Sequence, residues 1–160
     1  MLISIVTPTY NEALNVKKFI HSLEVVPINK EYEIIFVDDN SEDKTYLIVK
    51  NIAKNKKNIR CIRRIGRRGL SSAVIEGILS SSAELILVMD SDLQHDEKKI
   101  PSMIKLLYEK QLDLVICSRF LKFNHADGLS KIRNLLSKVA NLLANKISKA
   151  QLTDPMSGFF

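Results

Sequence analysis

Leu2-Ile3-Ser4-Ile5-Val6-Thr7 runs directly into Pro8-Thr9-Tyr10-Asn11-Glu12, and Ala13–Leu23 follows with apolar residues three and four apart. An almost continuous apolar run, a polar turn and an amphipathic segment make the opening half of a βαβ unit. The pattern then repeats. Tyr32–Val37, Ile59–Ile62, Glu84–Met89 and Leu112–Cys117 read as further strands, rich in Ile, Val and Leu as strands covered on both faces are. Asp43–Lys56, Leu70–Ser81 and Glu97–Lys110 read as the helices between them, with Pro101 near the start of the last, where a helix tolerates it. This alternation predicts an α/β fold: an open, mostly parallel sheet with helices on both faces.

Ligands of such sheets sit beyond the carboxyl ends of the strands. The segments that fall there are Pro8-Thr9-Tyr10-Asn11-Glu12, Asp38-Asp39-Asn40-Ser41, Asp90-Ser91-Asp92-Leu93-Gln94-His95 and Ser118-Arg119-Phe120. Four charged loops at one sheet edge point to a binding site rather than to four unrelated caps. No G-x-G-x-x-G follows the first strand, which disfavours a dinucleotide site. Gly66 to Ala73, G-R-R-G-L-S-S-A, is a glycine loop that opens a helix and is a weak phosphate-binding signal on its own.

Composition narrows the class. The chain has 160 residues, 46% apolar and 26% charged, with a formal net charge of +6. It is long enough to bury a core without staples, which excludes disordered, collagen-like and disulfide-scaffold classes. Cys61 and Cys117 lie in apolar segments without nearby His ligands, so reduced, buried thiols are expected rather than a disulfide or a zinc site. No apolar run reaches the roughly 18–20 residues of a membrane span, and the first residues lack the flanks of a signal peptide. A cytoplasmic protein touching membranes only peripherally is the expectation. The positive charge is concentrated: eight basic residues and no acid lie between Lys54 and Arg68. Such a run either faces an anionic partner, nucleic acid included, or forms a solvated helix end and loop.

Asp90 and Asp92 flank one residue just past a buried strand. Two carboxylates so placed suit a divalent cation shared with phosphate oxygens and water; alone, a D-x-D is also compatible with a helix cap, although Asp96 is the better placed cap for Glu97 onward. Residues 129–150 form a different kind of segment, with Leu129, Ile132, Leu135, Leu136, Val139, Leu142, Leu143 and Ile147 in one stripe and Lys131, Arg133, Lys138, Lys146 and Lys149 elsewhere. A basic amphipathic helix fits an anionic bilayer interface or packs its stripe on the protein body. His21 and His125 read as surface groups, His95 as a loop group.

Taken together, Pro8–Glu12, Val37–Ser41, Arg68-Gly69-Leu70-Ser71-Ser72-Ala73, Met89–His95, Ser118-Arg119-Phe120 and Asp154-Pro155-Met156-Ser157-Gly158-Phe159-Phe160 make the sequence resemble family 2 glycosyltransferases, and within them the dolichyl- or polyprenyl-phosphate mannose synthases. The L-Q-H after the D-x-D, the R-G-L-S-S-A loop and the closing D-P-M-S-G-F-F are the narrower signals. The resemblance implies a nucleotide-diphospho-sugar transferase fold of the GT-A type. It implies that Pro8, Tyr10, Glu12 and Asp39 hold the nucleoside, and that Asp90, Asp92 and Gln94 hold Mg²⁺ or Mn²⁺ and the diphosphate. Arg119 and Arg133 would face the donor and acceptor phosphates, with Asp92, Arg119 and Arg133 as the catalytic group. The implied reaction is inverting transfer of mannose from GDP-mannose to a polyprenyl or dolichyl monophosphate at the cytosolic membrane face. Alternatives are a UDP-glucose-type donor, a saccharide acceptor, or a non-catalytic anion or nucleic-acid-binding module, the last disfavoured by the converging acidic loops. A phosphate monoester, with its second pKa near about 6, arrives ionised and needs positioning rather than a general base.

Three departures from the family pattern are visible: Ser41-Glu42-Asp43-Lys44-Thr45 in the turn after the double aspartate, Ser91 inside the D-x-D, and Asp96-Glu97 after L-Q-H. The sequence also stops at Gly158-Phe159-Phe160, where the family continues. The expectation is therefore one catalytic domain, 1–160, incomplete at its C-terminus and containing the basic helix 129–150.

Overall fold

The computed structural model describes residues 2–118, 153–154 and 157–160. Strands β1 (Leu2–Thr9), β2 (Glu31–Asp38), β3 (Ile59–Arg63) and β4 (Leu85–Val88) alternate with helices α1 (Val16–Glu24), α2 (Thr45–Ala53) and α3 (Leu70–Leu79). A short 3₁₀ turn, Glu97–Lys99, then leads into α4 (Ile100–Glu109), with Pro101 in its first turn. The sheet is parallel, ordered β3-β2-β1-β4. This is the expected open α/β sheet, with α2, α3 and α4 inside their predicted segments and α1 running one residue past its own, to Glu24. Asp96 holds the N-cap position before Glu97, but its side chain makes no capping bond.

Period-two alternation sorts the strands into two cores. Ile3, Ile5, Ile34 and Phe36 pack with Phe19, Leu23, Val49 and Ile100, which covers one face with α1, α2 and α4. Val6, Ile35, Val37 and Val88 face Ala73 and Val74 of α3 on the other. Helix α3 comes unusually close. A Cβ on Gly77 would sit 2.4 Å from Val6 Cγ1 and 2.9 Å from Val37 Cγ2.

The fifth strand is a correction. Leu112–Cys117 has no strand assignment and does not pair with β4. The chain's last residue takes that place: Val88 and Phe160 exchange both backbone hydrogen bonds, at 2.7 and 3.2 Å, the signature of an antiparallel pair. Cys117 N–H donates to Phe159 O at 2.9 Å, so the predicted strand lies one position further out. Sequence order misled because an antiparallel insertion carries no local signal. Segment 129–150, Arg119 and Arg133 lie outside the described residues.

Gly77→Ala is expected to destabilise the chain by about 1–3 kcal/mol through overpacking against Val6 and Val37, although alanine alone would favour the helix by about 1 kcal/mol. Urea unfolding of the two proteins checks the sign.

Candidate functional site

The strand register builds the site. Thr9 lies opposite Asp38, and Asp38 opposite Arg63, while Val6 lies opposite Val88. Asp39 N–H donates to Thr9 O at 2.9 Å and Arg64 N–H to Asp38 O at 2.8 Å, which carries the ladder one step into the loops. The polar segments after β1, β2, β3 and β4 therefore emerge along one edge. Pro8 can occupy the central strand because β4 ends at Val88, leaving that flank of β1 without a partner strand.

The first two loops are zipped together. Asn11 N–H donates to Ser41 Oγ (2.9 Å), Glu12 N–H to Thr45 Oγ1 (3.0 Å) and Ala13 N–H to Asp43 Oδ2 (2.9 Å), while Glu42 N–H donates to Asn11 Oδ1 (3.0 Å). Asn11 and Asn40 adopt the left-handed backbone that asparagine tolerates, at φ 59° and 56°. The unusual Ser41–Thr45 turn thus supplies three of the zipper's four acceptors, and Asn11 the other. The double aspartate divides its work. Asp38 is fully buried and accepts bonds from Thr9 Oγ1, Ser41 N–H and Ser41 Oγ, so it locks the turn. Asp39 accepts from Arg64 Nη1 at 2.6 Å and from Gly69 N–H at 2.7 Å. The glycine loop's own N–H is therefore spent on Asp39. Tyr10 is exposed, with the Arg68 guanidinium 4.6 Å over its ring and donating to its hydroxyl at 3.0 Å. Glu12 accepts from Asn15 Nδ2 at 2.6 Å and half-faces solvent.

Beyond β4, Asp90, Asp92, Gln94 and His95 line a cleft of about 770 Å³ shared with one face of α3, from Leu70 to Ile78, and with Ser157 and Gly158. His95 Nε2 lies 3.2 Å from Asp90 Oδ2, and its ring packs on Phe159 at 5.3 Å. Asp92 Oδ1 accepts from Gln94 N–H at 3.0 Å across Leu93, a bulky residue held at φ 65°. Ser91 Oγ is buried without a hydrogen-bond partner among the described residues. Gly158 backs Asp90 so closely that a Cβ there would fall 2.6 Å from Asp90 Oδ2. That approach is a physical reason for a glycine in the closing S-G-F-F.

His95, Arg64 and Gly158 are residues of this region whose places the sequence reading did not assign. His95 carried a signal in its neighbours; Arg64 sat unremarked in a basic run. Of the basic side chains in that run only Arg64 is buried, and most of the others meet acids or a ring at the surface. Lys56 pairs with Glu24, Arg60 with Glu33, Arg64 with Asp39 and Glu76, Arg67 with Glu76, Arg68 with Glu42, and Arg63 lies 3.7 Å over the Tyr46 ring. Cys61 and Cys117 are half-buried thiols. Burial first, with Asp38 nearby, pushes the Cys61 thiol up to about 12 against the opposing pull of Arg63, so it is no nucleophile at neutral pH.

The fold and edge define an open α/β domain with a carboxylate-lined cleft at the carboxyl edge of its sheet. The family model described as glycosyl transferase family 2 matches residues 4–160, and the chain belongs to that family. It is 35% identical over 163 residues to a dolichol-phosphate mannosyltransferase of Pyrococcus furiosus, covering 100% of this chain and 46% of that protein. With a dolichol-phosphate mannosyltransferase of Saccharomyces cerevisiae it shares 34% over 164 residues, 98% of this chain and 59% of that one. A dodecaprenyl-phosphate galacturonate synthase of Rhizobium johnstonii is 32% identical over 155 residues, covering 95% and 45%. The chain thus spans about half the length of these relatives. Among solved structures, the mannosyltransferase PcManGT from Pyrobaculum calidifontis, in complex with GDP-Man and Mn²⁺, aligns with TM-score 0.57 and 24% identity over 66% of this chain and 32% of that one. S. aureus TarS 1-349 aligns at 0.62 and 23% over 82% and 40%. Both share the fold, which is the GT-A type expected.

Burial would raise the Asp43 carboxyl, but bonds from the Thr45 hydroxyl and from the backbone N–H groups of Ala13 and Thr45 outweigh it and hold the group below the ordinary aspartate range. The native state therefore binds this proton less tightly than the unfolded state. The zipper's contribution is full above the unfolded value of about 3.9 and fades as pH falls through the lower native value. Asp43→Asn is expected to flatten the acid limb of stability against pH, read as the shift in urea midpoint between pH 6 and pH 3.

Proposed function

We propose that the chain is the donor-binding part of an inverting glycosyltransferase that moves mannose from GDP-mannose to a polyprenyl or dolichyl monophosphate at the cytosolic face of a membrane. The observation that carries this reading is the convergence of Asp90, Asp92 and Gln94 on one cleft beside the N-terminus of α3. The similarity to dolichol-phosphate mannosyltransferases supports the sugar and the acceptor. Among the described residues no helix is long and apolar enough to cross a membrane, and surface contact through 129–150 is part of the proposal.

Two carboxylates and an amide are hard oxygen donors of the kind Mg²⁺ and Mn²⁺ take. Among the described residues no three His, Cys, Asp or Glu side chains gather around one point. Asp90 and Asp92 would thus hold the ion with Gln94, leaving the remaining positions to diphosphate oxygens and water. The ion would neutralise the diphosphate as it departs. Pro8, Tyr10, Glu12 and Asp39 would hold the nucleoside, with Tyr10 offering its exposed ring and Asp39 its carboxylate. Arg119 would draw in the donor phosphates, and Arg133 would aim an acceptor phosphate oxygen at the anomeric carbon. The new C–O bond forms on the face opposite the breaking bond to the diphosphate, and no general base is required because the acceptor is already ionised.

The reading is tested by transfer of labelled mannose from GDP-mannose into lipid extract with Mn²⁺. Asp92→Ala is expected to reduce labelling on the order of 10²–10³-fold, the scale of losing transition-state charge stabilisation. Labelling that survives in the variant overturns the role of Asp92. Labelling from a UDP-sugar instead of GDP-mannose replaces the donor while leaving the lipid acceptor. Gly158→Ala touches no proposed ligand, yet it is expected to weaken Mn²⁺-dependent GDP binding about tenfold, because its Cβ displaces the Asp90 carboxylate; calorimetry reads that change.

A further inference from the structure

Arg64 is the largest fully buried side chain among the described residues, 1% exposed, and it sits at the carboxyl edge of the sheet. Its guanidinium reaches three elements. Nη1 donates to Asp39 Oδ1 at 2.6 Å and to Gly69 O at 3.1 Å, Nη2 donates to Ser72 Oγ at 2.5 Å, and Nε lies 3.2 Å from Glu76 Oε2. Gly69 closes the ring, since its N–H donates to Asp39 Oδ2 at 2.7 Å. Its φ of 134° is one that side-chain-bearing residues rarely adopt.

Burying an arginine against two acids is a poor way to gain stability, because well-packed apolar residues of similar volume do as well or better. What the arrangement secures is orientation. With Oδ1 and Oδ2 each holding one internal donor, the plane of the Asp39 carboxylate is fixed and each oxygen keeps acceptor capacity beyond its internal bond. The same guanidinium ties that carboxylate to Gly69 and Ser72, so the start of α3 and the turn after β2 move as one piece. A planar fork with five donors can do this, and a lysine ammonium cannot span the same partners.

We propose that Arg64 is a positioning residue for donor recognition, fixing the Asp39 carboxylate and the start of α3 in the geometry that meets the nucleoside. The proposal rests on the reading that Asp39 contacts the donor nucleoside, and goes beyond it by naming the residue that makes this contact selective.

Calorimetric titration with Mn²⁺ and GDP, and separately with Mn²⁺ and inorganic pyrophosphate, tests it on the wild-type protein and Arg64→Lys. Pyrophosphate has no nucleoside and serves as the control for general loosening. Arg64→Lys is expected to raise the GDP Kd about tenfold or more while pyrophosphate binding stays within twofold. The preference for GDP over UDP is expected to shrink as well. GDP binding that is unchanged, or that falls in parallel with pyrophosphate binding, overturns the proposal. If Arg64→Lys does not fold, Ser72→Ala removes one tether without a charge and is expected to weaken GDP about threefold with pyrophosphate unaffected; equal GDP binding in that variant overturns it. A cycle with Asp39→Asn supplies a second criterion. The double variant is expected to bind GDP no worse than the poorer single variant, and additive losses count against the proposal. A folded wild-type protein that binds pyrophosphate but neither GDP nor UDP defeats the donor reading first, which separates that failure from this one.

Discussion

Parallel pairing along β1 is the constraint from which the rest of the structure follows. The strand is bonded to β2 over eight residues and to β4 over four. In a parallel ladder all strands run the same way, so every connection that leaves a carboxyl end leaves at one edge. A one-residue slip would turn Ile3 and Ile5 into the core beneath α3 and bring Val6 under α1. Both cores oppose that slip, because each is filled to contact, most tightly where Gly77 lets α3 rest on Val6 and Val37. The positions of Asp38, Asp39, Arg64 and Asp90 are thus consequences of apolar packing well below them.

Much of this is legible in the sequence because it is local. Strand runs, helix periodicity and polar turns are read from residues within one turn or one pleat of each other. The divergent roles of Asp38 and Asp39 are not local in that sense. Asp38 is satisfied by Ser41, three residues on, and by Thr9, while the partner of Asp39 lies 25 residues away in a run that reads as surface charge. The basic segment is, apart from Arg64, the solvated run that one reading of it expects, but its acids, Glu24, Glu33, Asp39, Glu42 and Glu76, come from other elements that the topology brings to it. Leu112–Cys117 has the composition of a strand, and its displacement by Phe160 follows from a pairing across more than forty residues. The closing D-P-M-S-G-F-F was legible as a motif and not as a cause. The structure supplies the cause: Phe160 pairs with Val88, Phe159 packs on His95, and Gly158 makes room for Asp90.

The distribution of hydrogen bonds among the edge carboxylates carries the chemical argument one step further. Asp38, Asp39 and Asp43 are each met on both oxygens by donors of the protein itself. Asp38 and Asp43 are committed to holding loops, Asp39 is fixed by the fold while keeping one acceptor site on each oxygen, and the charge of all three is spread over hydroxyls, amides and one guanidinium. Asp90 and Asp92 differ. Among the described residues, each has one oxygen met, by His95 and by Gln94 N–H, and each keeps the other without a protein hydrogen bond while lining the cleft. Negative charge left unmatched in a partly enclosed site attracts a cation more strongly than the same charge in open water, because screening there is weaker. The edge is therefore graded, from carboxylates bonded on both oxygens by the fold to a pair bonded on one oxygen each. In the proposed reaction an anionic donor approaching that pair would meet repulsion unless a cation lay between them, and the internal bonds of Asp38 and Asp39 would confine that need to Asp90 and Asp92.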